Sequence, residues 1–407
     1  MRPGAPSLNG QGGRALLVFA IAFAAYWGAA VWFDSVGTPD EAYFNHLARS
    51  FLEGRLYLLN PPSTHDLTQY QGEWYVPFPP LPALLMLPWV ASVGLAQVQT
   101  VLFCAFFGAL NVSLVDLLLQ ALARRGWTQL SSSDNLWLTI LFGLGSVHWY
   151  MSTIGSVWFV GQICTVTFVA LAVWLAVVRP SPWFAGLALG LAVAARPTVL
   201  LTWPLLVGIA AMHLRQPDGA IAWRAWVRWA AASALPIALV VASLLAYNAA
   251  RFGNPLDFGY LTENVAEQLA DNLRVYGQFH PHYLLKNFWA MWLAGPQWDA
   301  EIGFWKPDPE GMSLLFTTPA LIYLGRARRL SPLMIGAWVA LGLLLIPLLL
   351  YYNTGWWQFG YRFSLDFMVP VLVLLAIATG RRVTWPMRGL IALGVLVNLY
   401  GVIWWHA

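Results

Sequence analysis

The sequence predicts an all-α, polytopic membrane protein with 11 transmembrane helices. Of its 407 residues, 59% are hydrophobic and 10% are charged, whereas about a quarter are charged in an ordinary soluble domain. Many apolar runs approach the roughly 20 residues that a spanning helix needs. Lys and Arg recur in alternate loops between these runs, as the positive-inside rule expects for the cytoplasmic side. This pattern excludes a disordered chain, and it explains the net charge of +4 without nucleic-acid binding.

The first span is expected to be retained, because its apolar run is long for a signal peptide and no small-residue cleavage site follows. Cys104 and Cys164 lie in apolar runs and predict no disulfide. The predicted spans are, in chain order, 15–33, 99–123, 135–151, 157–178, 183–195, 198–213, 229–249, 312–325, 332–350, 362–379 and 389–405.

One further apolar run, Pro79–Ala96, decides the topology. If it does not cross, the N-terminus and the majority of the 22 basic residues are cytoplasmic, as expected. Its four prolines also suit a re-entrant or interfacial segment better than a straight helix. We therefore expect it not to cross and the C-terminus to lie outside. The cytoplasmic basic residues are then Arg2, Arg14, Arg124, Arg125, Arg179, Arg215, Arg224, Arg228, Arg326, Arg328, Arg329, Arg381, Arg382 and Arg388.

This topology leaves two large extracytoplasmic loops, at about 34–98 and 251–311, which hold most of the 18 acidic residues. Loops of this length are long for simple connections and favour a functional role. We expect them to carry short interfacial helices and to dock on one helical bundle. Residues 1–407 are therefore predicted to form a single integral membrane domain.

An acidic pair, Asp40 and Glu41, follows directly on the first span. Asp40 is predicted to begin a helix that closes at Gly54, since Tyr43, Leu47 and Phe51 recur at helical spacing. An N-cap with a second acid in the first turn would explain one carboxylate. Two adjacent acids at a membrane boundary also fit a proton acceptor, or metal ligands, at the mouth of a cavity.

The pattern around this pair resembles the GT-C superfamily of membrane glycosyltransferases. The similarity is sharpest in "PDEAYFNHLARSFLEGRLYL" and "YQGEWYVPFPPLPALLMLPWVA", and it points to the family of protein O-mannosyltransferases and aminoarabinose transferases. "YNAARFGNPLDFGY" and "NTGWWQFGYRFSLDFMVP" resemble bacterial family-39-like members. One departure is Phe78, where aminoarabinose-type relatives carry Lys or Glu. The matching positions are Asp40, Glu41, Ala48, Arg49, Tyr70, Gly72, Pro79 and Pro80.

The resemblance implies an inverting transfer of a sugar from a polyprenyl-phosphate-linked donor to a hydroxyl acceptor. The acceptor could be a lipid, a glycan or a protein. The active site would lie on the extracytoplasmic side of a bacterial-type cytoplasmic membrane. Asp40 would act as the base and Glu41 would assist it. No cofactor is certain, and a divalent cation, if any, would bind at this pair.

Four basic residues are candidates to bind the donor phosphate: Arg49, Arg196, Lys286 and Arg362. Each has a simpler alternative. Arg49 would be a helix-surface charge, and Arg196 would extend to the membrane interface. Arg362 would form a structural ion pair with Asp366 at the i,i+4 spacing. Lys286 lies in the second loop, which should fold over the pocket.

The remaining candidates are expected to line the substrate and lipid groove. Aromatic residues at a membrane boundary are also typical of interfacial belts, and a His-x-His pair alone is a weak metal signal. His65 and Asp66 are read as ordinary polar loop residues, and Asn111 and Asp116 as hydrogen-bond partners inside the bundle. The groove candidates are Tyr43, Tyr75, His280, His282, Trp356, Trp357 and Gln358.

Two other functions fit a polytopic chain. A transporter usually places ionisable residues near the membrane midplane, often in two related halves; here the acids concentrate in two outer loops, and the halves do not match. A non-catalytic assembly protein would use the loops to bind a partner chain, and Asp40 would be dispensable.

Overall fold

The computed structural model describes residues 8–301, 303–327 and 330–407. Arg2, Arg328 and Arg329, which are predicted to be cytoplasmic, lie outside the described residues. Within these ranges the chain forms helices α1 Leu8–Trp32, α2 Tyr43–Leu52, α3 Leu81–Val93, α4 Thr100–Arg124, α5 Ser132–Gly143, α6 His148–Met151, α7 Val157–Val178, α8 Pro182–Val193, α9 Trp203–His213, α10 Trp223–Phe252, α11 Glu267–Tyr276, α12 Leu284–Trp292, α13 Leu314–Thr317, α14 Pro332–Leu350, α15 Leu365–Ala378 and α16 Trp385–His406.

Short 3-10 turns and two hairpins complete the structure. The strands are β1 Thr68–Tyr70, β2 Glu73–Tyr75, β3 Gln297–Asp299 and β4 Phe304–Lys306. The 3-10 segments are Leu95–Gln97, Pro197–Thr202, Tyr260–Thr262, Pro281–Tyr283, Pro319–Arg326 and Arg362–Ser364.

Six of the described helices are long and apolar enough to cross a membrane: α1, α4, α7, α10, α14 and α16. The chain is therefore a multi-pass integral membrane protein. Shorter apolar helices accompany them at α3, at α8, and at α9 together with the 3-10 turn before it. The fold class predicted from the sequence is confirmed.

All 11 predicted spans fall on helical segments, but four of them are not continuous α-helices. The spans predicted at 198–213 and 362–379 begin as 3-10 segments, and the other two are interrupted. The span predicted at 135–151 divides into α5 and α6, with Gly143 and Gly145 at the break, where glycine lowers helix propensity. The span predicted at 312–325 is the four-residue α13 followed by a 3-10 segment that Pro319 begins. In contrast, α10 extends beyond the predicted 229–249 at both ends.

The centre of the bundle is formed by α4, α7 and α15, whose residues are mostly buried. Around them, α1 packs on α4, α8 on α7 and α14 on α15, and α10 packs on the outside of α8. Asn111 and Asp116 of α4 point inward, as predicted: the Asn111 amide donates to the Ile163 carbonyl at 2.9 Å, and Asp116 accepts from Arg14. Small residues allow close packing, as in α9 against α14, where a Cβ on Gly208 would lie 2.5 Å from the Pro332 oxygen.

The two long loops fold against each other. The hairpin β1–β2 turns tightly at Gln71 and Gly72, both with positive φ, as a two-residue turn requires. Thr68 of β1 forms a β-bridge with Glu263 of the second loop. The Asp66 amide donates to the Asn264 carbonyl at 2.9 Å, and the Asn264 amide donates to the Leu67 carbonyl at 2.8 Å. These contacts fix Glu263 beside the first loop.

The segment that decides the topology is short. α3 has 13 residues, about 20 Å at 1.5 Å per residue, against a hydrocarbon core of roughly 30 Å. It contains Pro88 and packs along α2. Its length suits the predicted re-entrant or interfacial segment, and its failure to cross stays a prediction.

Candidate functional site

A polar cavity lies where the two loops meet the ends of the central helices. It has a volume of about 60 Å³. Its walls come from the loops, from α7 and from the segments before α9 and α15. The lining residues are Phe44, Asp66, Phe78, Pro79, Val157, Trp158, Gly161, Gln162, Ala195, Arg196, Pro197, Tyr260, Glu263, Tyr351, Tyr352, Asn353, Arg362 and Phe363.

Arg196 reaches this cavity because a proline interrupts the chain. A residue before proline is disfavoured in the helical region, and Arg196 has extended backbone angles, φ −156° and ψ 107°, between the end of α8 and Pro197. Its Nε donates to Asp366 Oδ2 at 2.6 Å. Asp366 is almost completely buried in the first turn of α15.

The predicted ion pair between Arg362 and Asp366 is wrong. Arg362 lies in a 3-10 turn, and the α-helix begins only at Leu365, so the i,i+4 spacing does not place the two side chains on one helix face. Asp366 instead pairs with Arg196. Among the described residues, no carboxylate forms an ion pair with Arg362.

The segment before α15 holds Arg362 at the cavity. The Arg362 amide donates to Gln358 Oε1 at 2.8 Å, and its Nε donates to the Gly355 carbonyl at 2.9 Å. Gly355 has φ +114°, and a Cβ there would lie 2.5 Å from Gln358 Oε1. Arg362 Nη1 also donates a long hydrogen bond, at 3.4 Å, to Gln162 Oε1 of α7. Arg362 is thus buried and held in position by Gly355 and Gln358, and it has no counter-ion in the described chain.

Two acids complete the polar surface. Asp66 Oδ2 accepts from Trp158 Nε1 at 2.9 Å, and Glu263 Oε2 accepts from the Tyr352 hydroxyl at 3.4 Å. Burial raises the pKa of Asp66, and nearby His65, Trp158 and Arg362 limit that rise. Burial, together with the charge of Asp66, raises the pKa of Glu263 well above its ordinary range. Both shifts favour the protonated form of carboxyls that line the cavity.

A second, mainly apolar cavity adjoins the first. It has a volume of about 200 Å³ and shares Arg196, Pro197, Tyr260 and Tyr351 with the polar cavity. Its other walls come from the 3-10 segment before α9, from the second loop and from the end of α14: Thr198, Phe258, Gln278, Phe279, Pro347 and Leu348. Arg196 therefore lies at the junction of a polar chamber and an apolar groove.

The acidic pair lies at the rim of the polar cavity and not among its lining residues. Asp40 is exposed and Glu41 is partly buried. The Glu41 carbonyl accepts from the Val157 amide at 2.9 Å, and Val157 lines the cavity. The predicted helix start at Asp40 is wrong, because α2 begins at Tyr43 after a turn closed by the Ala42 amide on the Pro39 carbonyl. Asp40 and Glu41 thus precede the helix and do not cap it.

Two of the four phosphate candidates are not among the residues that line either cavity. Arg49 is exposed and pairs with Glu53 at 2.5 Å, one turn further along α2. Lys286 of α12 is exposed and pairs with Glu310 at 3.0 Å. Arg49 is therefore a helix-surface charge, as its simpler alternative states. Lys286 is engaged in an ion pair within the second loop. Arg196 and Arg362 are the two candidates that the fold brings together.

The histidine pair also lies outside the lining of either cavity. His280 and His282 are exposed, and His282 stacks on Tyr276 with ring centroids 4.1 Å apart. The neighbouring residues Gln278 and Phe279 line the apolar groove instead. The structure therefore brings the residues just before the histidine pair, and not the pair itself, to the groove.

Trp356, Trp357 and Gln358, predicted to line the groove, lie next to the cavity residues and not in the lining. Trp357 is exposed and stacks on Trp404, and Trp356 lies beside it. Gln358 is buried and donates to the Glu310 and Thr354 carbonyls at 2.8 and 2.9 Å, which fixes the acceptor that binds the Arg362 amide.

Tyr43 and Tyr75 contact residues of the first loop and line neither cavity. The buried Tyr43 donates its hydroxyl to the His65 carbonyl at 2.6 Å, directly before Asp66. Tyr75 packs on Phe252 with centroids 5.2 Å apart. These two residues support the first loop, and the structure does not place them in the groove.

Sequence reasoning missed Asp66, Glu263, Gln162 and Tyr352. In the sequence Asp66 resembles an ordinary loop residue, and the other three do not stand out. A signal was present for Gln162, a lone amide within the apolar run 157–178, since polar residues in spans usually face a partner or a cavity. Glu263 carried no such signal, because its position depends on the pairing of two loops about 200 residues apart.

A metal site is not assembled from protein ligands in the described part of the chain. No group of three or more His, Cys, Asp or Glu residues there could hold a metal ion. A divalent cation at Asp40 and Glu41 would rest on these two carboxylates and on ligands from water or substrate.

Comparison with known proteins shows the fold. No protein-family model matches the chain, and no curated protein matches it. The chain is similar to the solved structure of ArnT from Cupriavidus metallidurans bound to undecaprenyl phosphate, with 14% identity and a TM-score of 0.52 over 90% of this chain. It spans 60% of the length of that protein. This chain therefore shares the fold of that structure, an all-α polytopic membrane fold as the sequence predicted.

A second solved structure is more distant. The oligosaccharyltransferase of Archaeoglobus fulgidus, tethered to an acceptor peptide, has 12% identity and a TM-score of 0.46, with 96% of this chain and 54% of that chain covered.

Proposed function

We propose that this chain is an inverting glycosyltransferase that moves a sugar from a polyprenyl-phosphate-linked donor to a hydroxyl acceptor at the outer membrane interface. The acceptor is a lipid, a glycan or a protein. The proposal follows from the fold, from the two adjoining cavities and from the acidic pair at their rim.

The observation that carries the proposal is the junction at Arg196. A polyprenyl-phosphate sugar joins a long apolar tail to an anionic phosphodiester and a polar sugar. The apolar groove suits the tail, the polar cavity suits the sugar, and Arg196 lies where the phosphodiester would join them. Arg362 adds a buried cation without a counter-ion in the described chain, and a phosphate supplies such a counter-ion with bidentate geometry.

The two arginines have different parts in this scheme. Asp366 neutralises Arg196 and fixes its direction, so Arg196 contributes oriented N–H donors with little net charge. Arg362 contributes the net positive charge. As the bond between the anomeric carbon and the phosphate oxygen breaks, negative charge accumulates on the phosphate, and preorganised donors stabilise it.

Asp40 acts at the rim as general base. The acceptor hydroxyl arrives from solvent, its oxygen attacks the anomeric carbon opposite the phosphate, and its proton passes to Asp40. The polyprenyl phosphate leaves with the electron pair of the broken bond, so one displacement inverts the anomeric centre. General-base assistance of this kind contributes roughly 10²–10⁴-fold to the rate. Exposure of Asp40 is what a base for an incoming acceptor requires.

The test is a transfer assay with the purified full chain in lipid nanodiscs. A radiolabelled polyprenyl-phosphate hexose is supplied with an acceptor fraction extracted from membranes, and free polyprenyl phosphate is added as a competitor. The proposal expects label to enter the acceptor and the competitor to suppress transfer. No transfer above the heat-inactivated protein, across neutral and acidic donor sugars, would contradict it and would favour a transporter or an assembly protein.

A further inference from the structure

We infer that Asp66 and Glu263 form the sugar-binding end of the donor site and select a hydroxyl-bearing sugar that carries no carboxylate. This inference rests on the proposed function, because it assigns the polar cavity to a polyprenyl-phosphate sugar. It adds the chemical class of the sugar, which the fold alone does not specify.

The two acids are held together by backbone contacts between the long loops. Asp66 and Asn264 are joined through the Asp66 amide, and Asn264 returns a hydrogen bond to the Leu67 carbonyl. Thr68 Oγ1 also donates to the Gly259 carbonyl at 2.6 Å. Two residues far apart in the chain are therefore fixed on one cavity wall, as a preorganised binding site requires.

Each carboxyl keeps free hydrogen-bonding capacity. Asp66 uses Oδ2 for Trp158, while its Oδ1 lies 3.8 Å from His65 Nε2 and accepts no hydrogen bond from the part of the chain that the structure describes. Glu263 accepts one long bond on Oε2. A carboxylate offers about four lone-pair positions, and neighbouring sugar hydroxyls can donate to both of its oxygens. The cavity thus presents acceptors that fit hydroxyl groups.

The charges oppose an acidic sugar. Arg196 is already paired with Asp366, and the donor phosphate would occupy Arg362. A sugar carboxylate would then face Asp66 and Glu263 without a cation of its own, at a site where desolvation strengthens repulsion. Repulsion of this kind is a common source of specificity.

The test is equilibrium binding to the purified full chain in detergent, with radiolabelled polyprenyl-phosphate glucose and polyprenyl-phosphate glucuronate as probes. We expect the glucose donor to bind at least about tenfold more tightly, equal to about 1.4 kcal/mol. In Asp66→Asn and in Glu263→Gln, the glucuronate donor should gain affinity about tenfold while the glucose donor changes less. The control is Asp271→Asn, an exposed acid on α11, which should leave both affinities unchanged.

The outcomes separate this inference from the proposed function. Equal binding of both donors, or a ratio that neither variant changes, overturns the inference while transfer can still be measured. Selective binding without transfer supports the sugar site and contradicts the proposed reaction. Failure of both donors to bind overturns both statements. Because both substitutions are isosteric, and the amide oxygen introduced by Asp66→Asn can still accept from Trp158, a folded variant is expected in at least one case.

Discussion

Arg196 and Asp366 are 170 residues apart in the sequence and form an ion pair at 2.6 Å where the polar cavity meets the apolar groove. The pair ties the segment before α9 to the first turn of α15. It also removes Asp366 from Arg362, its neighbour in sequence, which leaves the second arginine available for an anion. The balance of charge in the site follows from this one relationship.

The first prediction concerns that pair. Asp366→Asn should lower the apparent melting temperature by several degrees and reduce transfer, because Arg196 loses its buried counter-ion. Arg196→Gln should restore part of the stability in the double variant, since the two changes act on one interaction. Thermal unfolding of all four proteins in one detergent measures the coupling. Additive effects would show that the pair does not hold the two segments together.

The second prediction concerns Arg362. Arg362→Gln should weaken donor binding roughly 10–100-fold, the loss expected for a charge-assisted bidentate contact. Its apparent melting temperature should stay the same or rise, because a buried cation without a counter-ion is removed. Arg274→Gln, an exposed residue of α11, is the control. A destabilised variant with unchanged donor affinity would make Arg362 a structural residue.

The third prediction tests how Arg362 is held. Gly355→Ala should reduce transfer about tenfold or more, since φ +114° disfavours a side chain and the new Cβ would displace Gln358. Gly342→Ala is the matched control, because a Cβ on that α14 residue meets nothing within 4 Å and a helical site tolerates alanine. Equal activity in the two variants would show that the Gly355 carbonyl does not position Arg362.

The fourth prediction concerns pH. The pKa of Glu263 is raised in the folded protein above an unfolded value of about 4.3, so folding favours its protonated form. That contribution to stability is complete below about pH 4 and is lost as pH rises through the folded pKa. The apparent melting temperature should therefore fall more in the wild type than in Glu263→Gln as pH rises from about 4 towards the folded pKa.

The groups around position 263 are the same in the wild type and in Glu263→Gln. They are Asp66 and Tyr352, with His65 beside Asp66. Removing the Glu263 charge also eases ionisation of Asp66, which changes the slope in the same direction. Glu267→Gln, an exposed acid nearby on α11, should keep the wild-type slope. Parallel curves for the wild type and Glu263→Gln would contradict a raised pKa at this residue.

The sequence predicts the helices well because each long apolar run specifies its own structure in a membrane. It also predicts Arg196 as a site residue, since a lone arginine between two short spans is costly without a cavity or a partner. It fails where a side chain's partner comes from another part of the chain. Asp366 has a neighbour at i−4, yet its partner is Arg196, and nothing local indicates this.

The acids of the cavity show the same limit. Asp66 looks like any polar loop residue until Asn264 pairs with its backbone, and Glu263 becomes buried only when the loops meet. Arg49 illustrates the opposite error: the motif draws attention to it, but Glu53 one turn along the same helix already binds its charge. Local pattern therefore predicts the helices, and contacts between distant segments determine which polar residues form the site.

The most direct test of the central claim is transfer by Asp40→Asn, compared with Asp34→Asn. Both acids are exposed and close together in the sequence, and Asn tolerates the positive φ of Asp34. With a labelled polyprenyl-phosphate hexose, we expect transfer by Asp40→Asn to fall about 10²–10⁴-fold with donor binding retained, while Asp34→Asn keeps wild-type activity. Undiminished transfer by Asp40→Asn would contradict the assignment of the base at the cavity rim.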